Sequence, residues 1–471
     1  MRRSPFPAVY GLLAAQIVAV LLFAAFWDSL DFRIYRLGGD AVTQGADLYL
    51  KRHAGLWYTN TPFAATLFIP LAELPLAVAR VLWQSASVGA FAWACAMALK
   101  LAGHRPSRRV IATTVALGLL LQPMWQSIFL GQVNPFLLAL VLTDIRRVSL
   151  NRAAGIGIGI AAAIKLTPGI FIVMLLVTRR FKDAFIAGGT FALCTSIAYL
   201  IAPEASRVYW KGTFCDTSRV GVTYISNQSP FAAAARILGS ANDVPGWFFA
   251  VPLALGLAGL AVAALWARRN DWLAAAAVTG TTGLLVSPIS WAHHWLWVVP
   301  ALLVLVRNGA RVPAAGAYLL FALSPLWWTP HGGHRLQFGF HGPLTLVANC
   351  YLVAGLAFLA YMAAALRGPA GRGQVVRRER DRDRPPRITA TSPSIRAKIP
   401  PPRPLPVPRP PSAVTTTSPP ATMATTPAPR AATAPFRPKR AARARARPPA
   451  TTPASPDSAA TMAPIRPGPM E

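Results

Sequence analysis

Apolar runs close to 20 residues long recur through the first 367 positions of the chain, separated by short clusters of arginine and lysine. A run of that length crosses the roughly 30 Å hydrocarbon core of a bilayer as a helix rising about 1.5 Å per residue. Inside lipid the backbone must satisfy its own polar groups, so only helices and closed barrels span. The runs therefore restrict the chain to an all-α polytopic membrane protein. Composition agrees, with 54% hydrophobic and 13% charged residues, where a soluble domain carries about 25% charged.

Arginine and lysine orient the spans, because short cytoplasmic loops collect them. Spans are expected near 8–27, 81–101, 110–128 and 133–145, as two short helices within 153–178, and near 183–202, 247–267, 272–289, 294–306, 312–328 and 345–366. That makes a bundle of about 12 transmembrane helices. Every basic hinge then falls inside: Arg2 and Arg3, Arg105 to Arg109, Arg146 to Arg152, Arg179 to Lys182, Arg268 and Arg269, Arg307 and Arg311, and Arg367. Loops 28–60, 204–246 and 329–343 fall outside, and both termini are cytoplasmic. Met1-Arg2-Arg3 before an apolar run resembles a signal peptide, but the many later spans favour an uncleaved first span. Pro62, Pro70 and Pro75 argue against a straight span over 62–80 and for an interfacial or re-entrant segment.

The net charge of +31 does not point to nucleic acid. Residues 1–367 hold 28 Lys and Arg against 11 Asp and Glu, most of the cations in hinges, and residues 368–471 hold 19 against 5. The latter segment is a Pro-, Arg-, Ala- and Thr-rich tail that cannot bury a core, so it is expected to be a disordered cytoplasmic extension of a 1–367 membrane domain. Neither a Walker A nor a dinucleotide fingerprint is present. Cys215 alone falls in an external loop, which implies no disulfide framework. The reading expects neither metal nor cofactor.

The polar residues that remain cluster near the outer boundary. Asp31 follows the first span directly, in Asp31-Phe32-Arg33-Ile34-Tyr35-Arg36, which reads as an amphipathic interfacial helix. Asp31 suits two roles there, helix cap or catalytic carboxylate. Ser287-Pro288-Ile289-Ser290-Trp291-Ala292-His293-His294-Trp295 puts two histidines and a proline break at an outer boundary. Adjacent histidines diverge on a helix, which favours hydrogen bonding to a phosphate or sugar over chelation. Lys165, before Thr167-Pro168, lies about 18 Å from Ala153 along a helix and hence toward the outer side. A lysine at that depth is costly and points to an anionic head group, unless it snorkels. Gln132 and Asn134 in Gly131-Gln132-Val133-Asn134-Pro135, and Asn227 in the outer loop, suit sugar hydroxyls or helix caps. An external enzyme has no nucleotide supply, so a lipid-anchored donor is the sensible one.

These four segments, Asp31 to Tyr35, Gly131 to Pro135, Ala163-Ile164-Lys165-Leu166-Thr167-Pro168 and Ser287 to Trp295, resemble glycosyltransferase family 87 of actinobacteria. The resemblance covers about residues 8–366 with the segments in order. It implies a GT-C type bundle with external interfacial helices. It also implies a polyprenyl-phosphate-mannose-dependent α-(1→2)-mannosyltransferase of the plasma membrane. The acceptor would be a lipid-linked glycan of the phosphatidylinositol mannoside or lipomannan type. By that resemblance Asp31 is the catalytic aspartate, and His293 or His294 is the functional histidine. From their positions in these segments and the outer loop, Lys165, Arg33, Tyr35, Gln132, Asn134, Asn227 and Trp291 are expected to bind substrate. Inverting transfer needs one base, and only Asp28 and Asp40 lie close to Asp31 in sequence. Two other readings are a transporter or flippase of a lipid-linked sugar, which would favour internal repeats and midplane polar sites, and a non-catalytic binding protein.

Overall fold

The computed structural model describes residues 6–332 and 336–367; among them every element is helical and no strand forms. Arg2, Arg3 and the whole tail 368–471, with the domain boundary expected there, lie outside the described residues. The described part is one compact unit.

The described chain opens with α1 (Phe6–Phe26), apolar but for Gln16, which donates to the Ala116 carbonyl at 3.0 Å. Its last carbonyls are capped from a distance: Arg80 donates to Ala25 and Trp27 oxygens at 3.2 and 2.6 Å. After a three-residue turn comes α2 (Leu30–Thr43), amphipathic as expected, with Phe32, Ile34, Tyr35, Gly38, Gly39 and Ala41 buried. It rests on α3 (Pro62–Leu67) and α4 (Ile69–Ala72). A Cβ at Gly39 would stand 2.8 Å from the Phe68 backbone, so only glycine permits this approach. Arg36 fastens the same helix by donating to the Leu71, Ala72 and Leu74 carbonyls. The proline-rich segment 62–80 is thus two short helices and not a straight span, and α5 (Leu76–Leu101) begins directly after Pro75.

The expected span over 110–128 is a bent pair, α6 (Arg108–Leu119) and α7 (Gln122–Leu130), with 74° between them. Pro123 in the first turn of α7 cannot continue the preceding ladder. α8 (Asn134–Ser149) follows, then α9 (Ile156–Ile164) and α10 (Ile170–Val177), interrupted at the extended Lys165 and the turn Thr167–Gly169. α11 (Phe181–Ile201) leads to the loop helices α12 (Pro203–Trp210) and α13 (Pro230–Leu238). α14 (Ala250–Arg268) packs along α15 (Trp272–Val286). The 3₁₀ segment Ala292–Trp297, α16 (Val298–Arg307), α17 (Arg311–Leu323), α18 (Pro343–Ala348) and α19 (Cys350–Ala365) complete the described chain. Leu273 to Val278 of α15 are wholly buried, as expected of a helix that is apolar on every side at the centre of a bundle.

Among the described residues four helices are long and apolar enough to cross a membrane, namely α1, α5, α11 and the stretch Gly246–Arg268, or five if the bent pair is one span. The expected twelve are therefore not all present at full length. Five further apolar helices have 10–17 residues, and fifteen residues reach only about 23 Å. The shortfall has a local cause, since proline and glycine breaks cut several runs where polar side chains collect.

Asp144, Asp183 and Asp271 stand beside the basic hinges, where solvation alone would account for them, yet each is tied into the fold. Asp144 and Asp183 are each 3% exposed. Asp144 accepts from the Ile158 amide at 2.8 Å, and Asp183 accepts from the Ala154 amide at 3.0 Å while pairing with Arg180. Asp271 caps α15 through the Ala274 amide and is gripped by Arg307. Each carboxylate satisfies amides at or near the start of a helix, where the dipole favours negative charge.

Candidate functional site

Asp31 sits in the first turn of α2 but caps nothing; Ser29 holds the cap position and makes no side-chain cap bond. The carboxylate is thus free for another partner. Gln132 supplies it, donating from Nε2 to Asp31 Oδ2 at 2.5 Å. Gly131 makes this possible. It ends α7 in the left-handed conformation at φ +73°, and a Cβ there would meet Phe32 Cβ at 2.5 Å. Tyr35, one turn beyond Asp31, donates its phenol to Gln132 Oε1 at 2.8 Å. That bond fixes which way the amide faces, so its NH₂ must point at the carboxylate. Burial and the Asp31 charge both raise the Tyr35 phenol, which keeps it a donor.

The Asp31 side chain remains partly open to solvent. Burial nonetheless raises its carboxyl above the usual range, while the Gln132 bond and the Lys165 charge pull it back. A raised carboxylate near a cation fits a group that takes up a proton.

Lys165 breaks away from α9 with extended backbone, and its Nζ lies 2.8 Å from His294 Nε2. An ammonium has no lone pair, so Nε2 accepts and the ring proton sits on Nδ1. The Thr61 hydroxyl seals the break, bonding the Ala163 and Ile164 carbonyls. The His293 ring meets the His294 ring edge-on with centroids 4.7 Å apart. Both His293 ring nitrogens are buried without a hydrogen-bond partner among the described residues. Orphaned buried groups of this kind cost about 1–3 kcal/mol each, so they need a reason to persist. The His293 carbonyl is held by Asn134 Nδ2 at 3.0 Å and Ser127 Oγ at 3.4 Å. A small cavity of about 40 Å³ adjoins His294, Asn134 and Thr167.

The structure thus unites Asp31, Tyr35, Gln132, Asn134, Lys165, His293 and His294. It does not bring in every expected residue. Arg33 is exposed and paired with Asp28 at 3.1 Å. Asn227 is fully buried and its amide is spent on backbone: it donates to Val222 and Pro288 and accepts from Ser290 and Ser229. No capacity is left for a sugar hydroxyl. Trp291 forms an isolated bridge with Asn227 and is half-buried near Tyr224. Asn227 and Trp291 therefore place the histidine segment, two residues upstream of His293.

Sequence reading missed several supports. Thr61 carried a visible signal, a threonine cap with Pro62 at the first helical position. Gln84, donating to the Ile128 carbonyl, and Trp83, donating to the Gly131 carbonyl, carried none.

The chain is similar to known proteins over most of its length. Residues 58–288 match the model of glycosyltransferase family 87, a stretch that holds Gln132, Asn134 and Lys165 and stops short of Asp31, His293 and His294. A Mycolicibacterium smegmatis polyprenol-phosphate-mannose-dependent alpha-(1-2)-phosphatidylinositol pentamannoside mannosyltransferase is 31% identical over 388 residues, 78% of this chain and 92% of that protein. A Mycobacterium tuberculosis protein of the same description is 31% identical over 395 residues, 78% and 90% of the two chains. A M. tuberculosis alpha-(1-2)-phosphatidylinositol mannoside mannosyltransferase is 30% identical over 347 residues, 68% and 80%. No solved structure matches.

Proposed function

Because the chain belongs to glycosyltransferase family 87, we propose that it moves a mannosyl residue from a polyprenyl phosphate donor to the glycan of a phosphatidylinositol mannoside, with inversion, at the outer face of the plasma membrane. The observation that carries this reading is the convergence of one carboxylate, Asp31, with the Lys165 ammonium and the His293–His294 pair.

Each group has a task in that transfer. The acceptor hydroxyl loses its proton to Asp31 as its oxygen attacks the anomeric carbon. The bond from that carbon to the phosphate oxygen breaks, and the polyprenyl phosphate departs as an anion. It needs no acid, only positive charge and donors, which Lys165 and a histidine supply. Gln132 and Tyr35 hold the carboxylate, and Asn134 holds the His293 peptide. The outer location draws support from α8, which carries Asn134 at one end and the basic hinge Arg146 and Arg147 at the other.

The test is purified protein with radiolabelled polyprenyl phosphate mannose and phosphatidylinositol mannosides, with products resolved by linkage. Asp31→Asn is expected to abolish product while retaining donor binding. Full turnover in that variant removes Asp31 from the mechanism. Accessibility labelling that puts residues 31 and 293 on the side of Arg147 refutes the outer location.

A further inference from the structure

A second cavity, of about 520 Å³, lies away from the carboxylate and imidazoles, between α5, α8, α9 and α11. Ligand pockets are typically about 300–1,000 Å³. Trp93, Leu140, Ile156, Ile160 and Ile186 form its walls, with Arg147 at one end. On α8 it begins at Ala139, five residues or about 7.5 Å beyond Asn134. On α9 it ends at Ile160, well short of Lys165. It is separate from the site described above.

Three features define what it takes. The cavity opens sideways onto an apolar surface, since Trp93 is 53% and Ile156 60% exposed, with Phe185 of α11 83% exposed nearby in sequence to Ile186. Its wall is set firmly, because the Trp93 indole donates to Thr143 Oγ1 at 2.8 Å. Its charged end is positive on balance, with Arg147 and Lys100 against Asp144. The Asp144 carboxylate is committed to the Ile158 amide, whereas Arg147 uses only Nε, on the Ala153 carbonyl at 2.6 Å. Neither terminal guanidinium nitrogen of Arg147 makes a hydrogen bond among the described residues, although its charge acts on the Asp144 carboxylate. Lys100 stands over the Trp93 ring at 5.9 Å, adding a second cation.

We propose that this groove seats an anionic membrane phospholipid, one acyl chain between α8 and α9 and the phosphodiester on Arg147. Apolar walls facing lipid, and two cations (Arg147 and Lys100) against the single Asp144 carboxylate at the end, match such a molecule, and basic pockets between membrane helices take anionic head groups. Nothing in the assignment depends on the catalytic reading.

Full-length protein purified in mild detergent tests it by native mass spectrometry and lipid extraction. One phosphatidylglycerol per chain is expected to be retained after delipidating washes and to rebind from phosphatidylglycerol micelles, with phosphatidylcholine at least tenfold weaker. Arg147→Gln, at an exposed position, is expected to lower retention at least tenfold with thermal stability unchanged in lipid-free detergent. Ile160→Trp, which fills the groove, is expected to do the same through the chain-binding half. Equal uptake of phosphatidylcholine, or undiminished retention in Arg147→Gln, overturns the proposal.

Discussion

Replacing Gln132 by leucine removes the one side-chain hydrogen bond donated to Asp31 among the described residues. Burial raises this carboxyl, and the Gln132 bond is the largest influence opposing that. A hydrogen bond to a charged group contributes about 1.5–3 kcal/mol. Removing it therefore disfavours the anion against the neutral acid by roughly ten- to 150-fold, at 1.4 kcal/mol per factor of ten. The sign is definite: the bond stabilises the anion, so without it Asp31 takes up a proton more readily and stays protonated to higher pH. A protonated base cannot accept the acceptor's proton. The rising acid limb of the kcat/KM profile should move to higher pH, with the ten- to 150-fold deficit confined to pH below the limb and activity recovering above it. Leucine also strands the Tyr35 phenol, so a thermal melt should report a stability loss of about 1–3 kcal/mol. The assay is mannosyl transfer followed across pH, with donor saturation checked at each point. An unchanged acid limb, or a loss equal at every pH, refutes the idea that Gln132 acts through the charge state of Asp31.

Lys165→Met should weaken binding of a polyprenyl phosphate sugar at least tenfold while leaving a phosphate-free analogue unaffected, measured by displacement of labelled donor; equal effects on both would remove the cation's role. Gly131→Ala places a side chain at φ +73° against Phe32, so thermal stability should fall by at least about 1 kcal/mol and transfer should fall with it. Asp271→Asn loosens the Arg307 grip and the cap of α15, and should lower the melting temperature without changing the pH profile of transfer. Arg33→Ala, at an exposed pair with Asp28, should alter transfer less than twofold.

The helical character of the chain was legible because periodic proline and arginine punctuation marks where apolar runs stop. The break at Lys165 and the amphipathic α2 followed from the same local signals. What escaped sequence reading is long-range. Asp31 and Gln132 are 101 residues apart and Lys165 and His294 are 129 apart, and nothing local shows that they touch. Asn227 illustrates the converse. An amide in an external loop reads as a sugar ligand, yet backbone groups from the 287–290 turn consume it. Helix length misled for a related reason: apolar run length sets a maximum, and tertiary breaks decide how much of it is helical.

Thr61 has a consequence for how the site can move. Its hydroxyl plugs the carbonyls that the Lys165 break leaves open, and its residue also starts the helix on which α2 lies. The carboxylate-bearing helix and the ammonium-bearing strand of chain are pinned at one peg. α3 and the Lys165 segment cannot part without baring those carbonyls, so the floor under α2 and the base of the ammonium move together, and substrates meet them as one body.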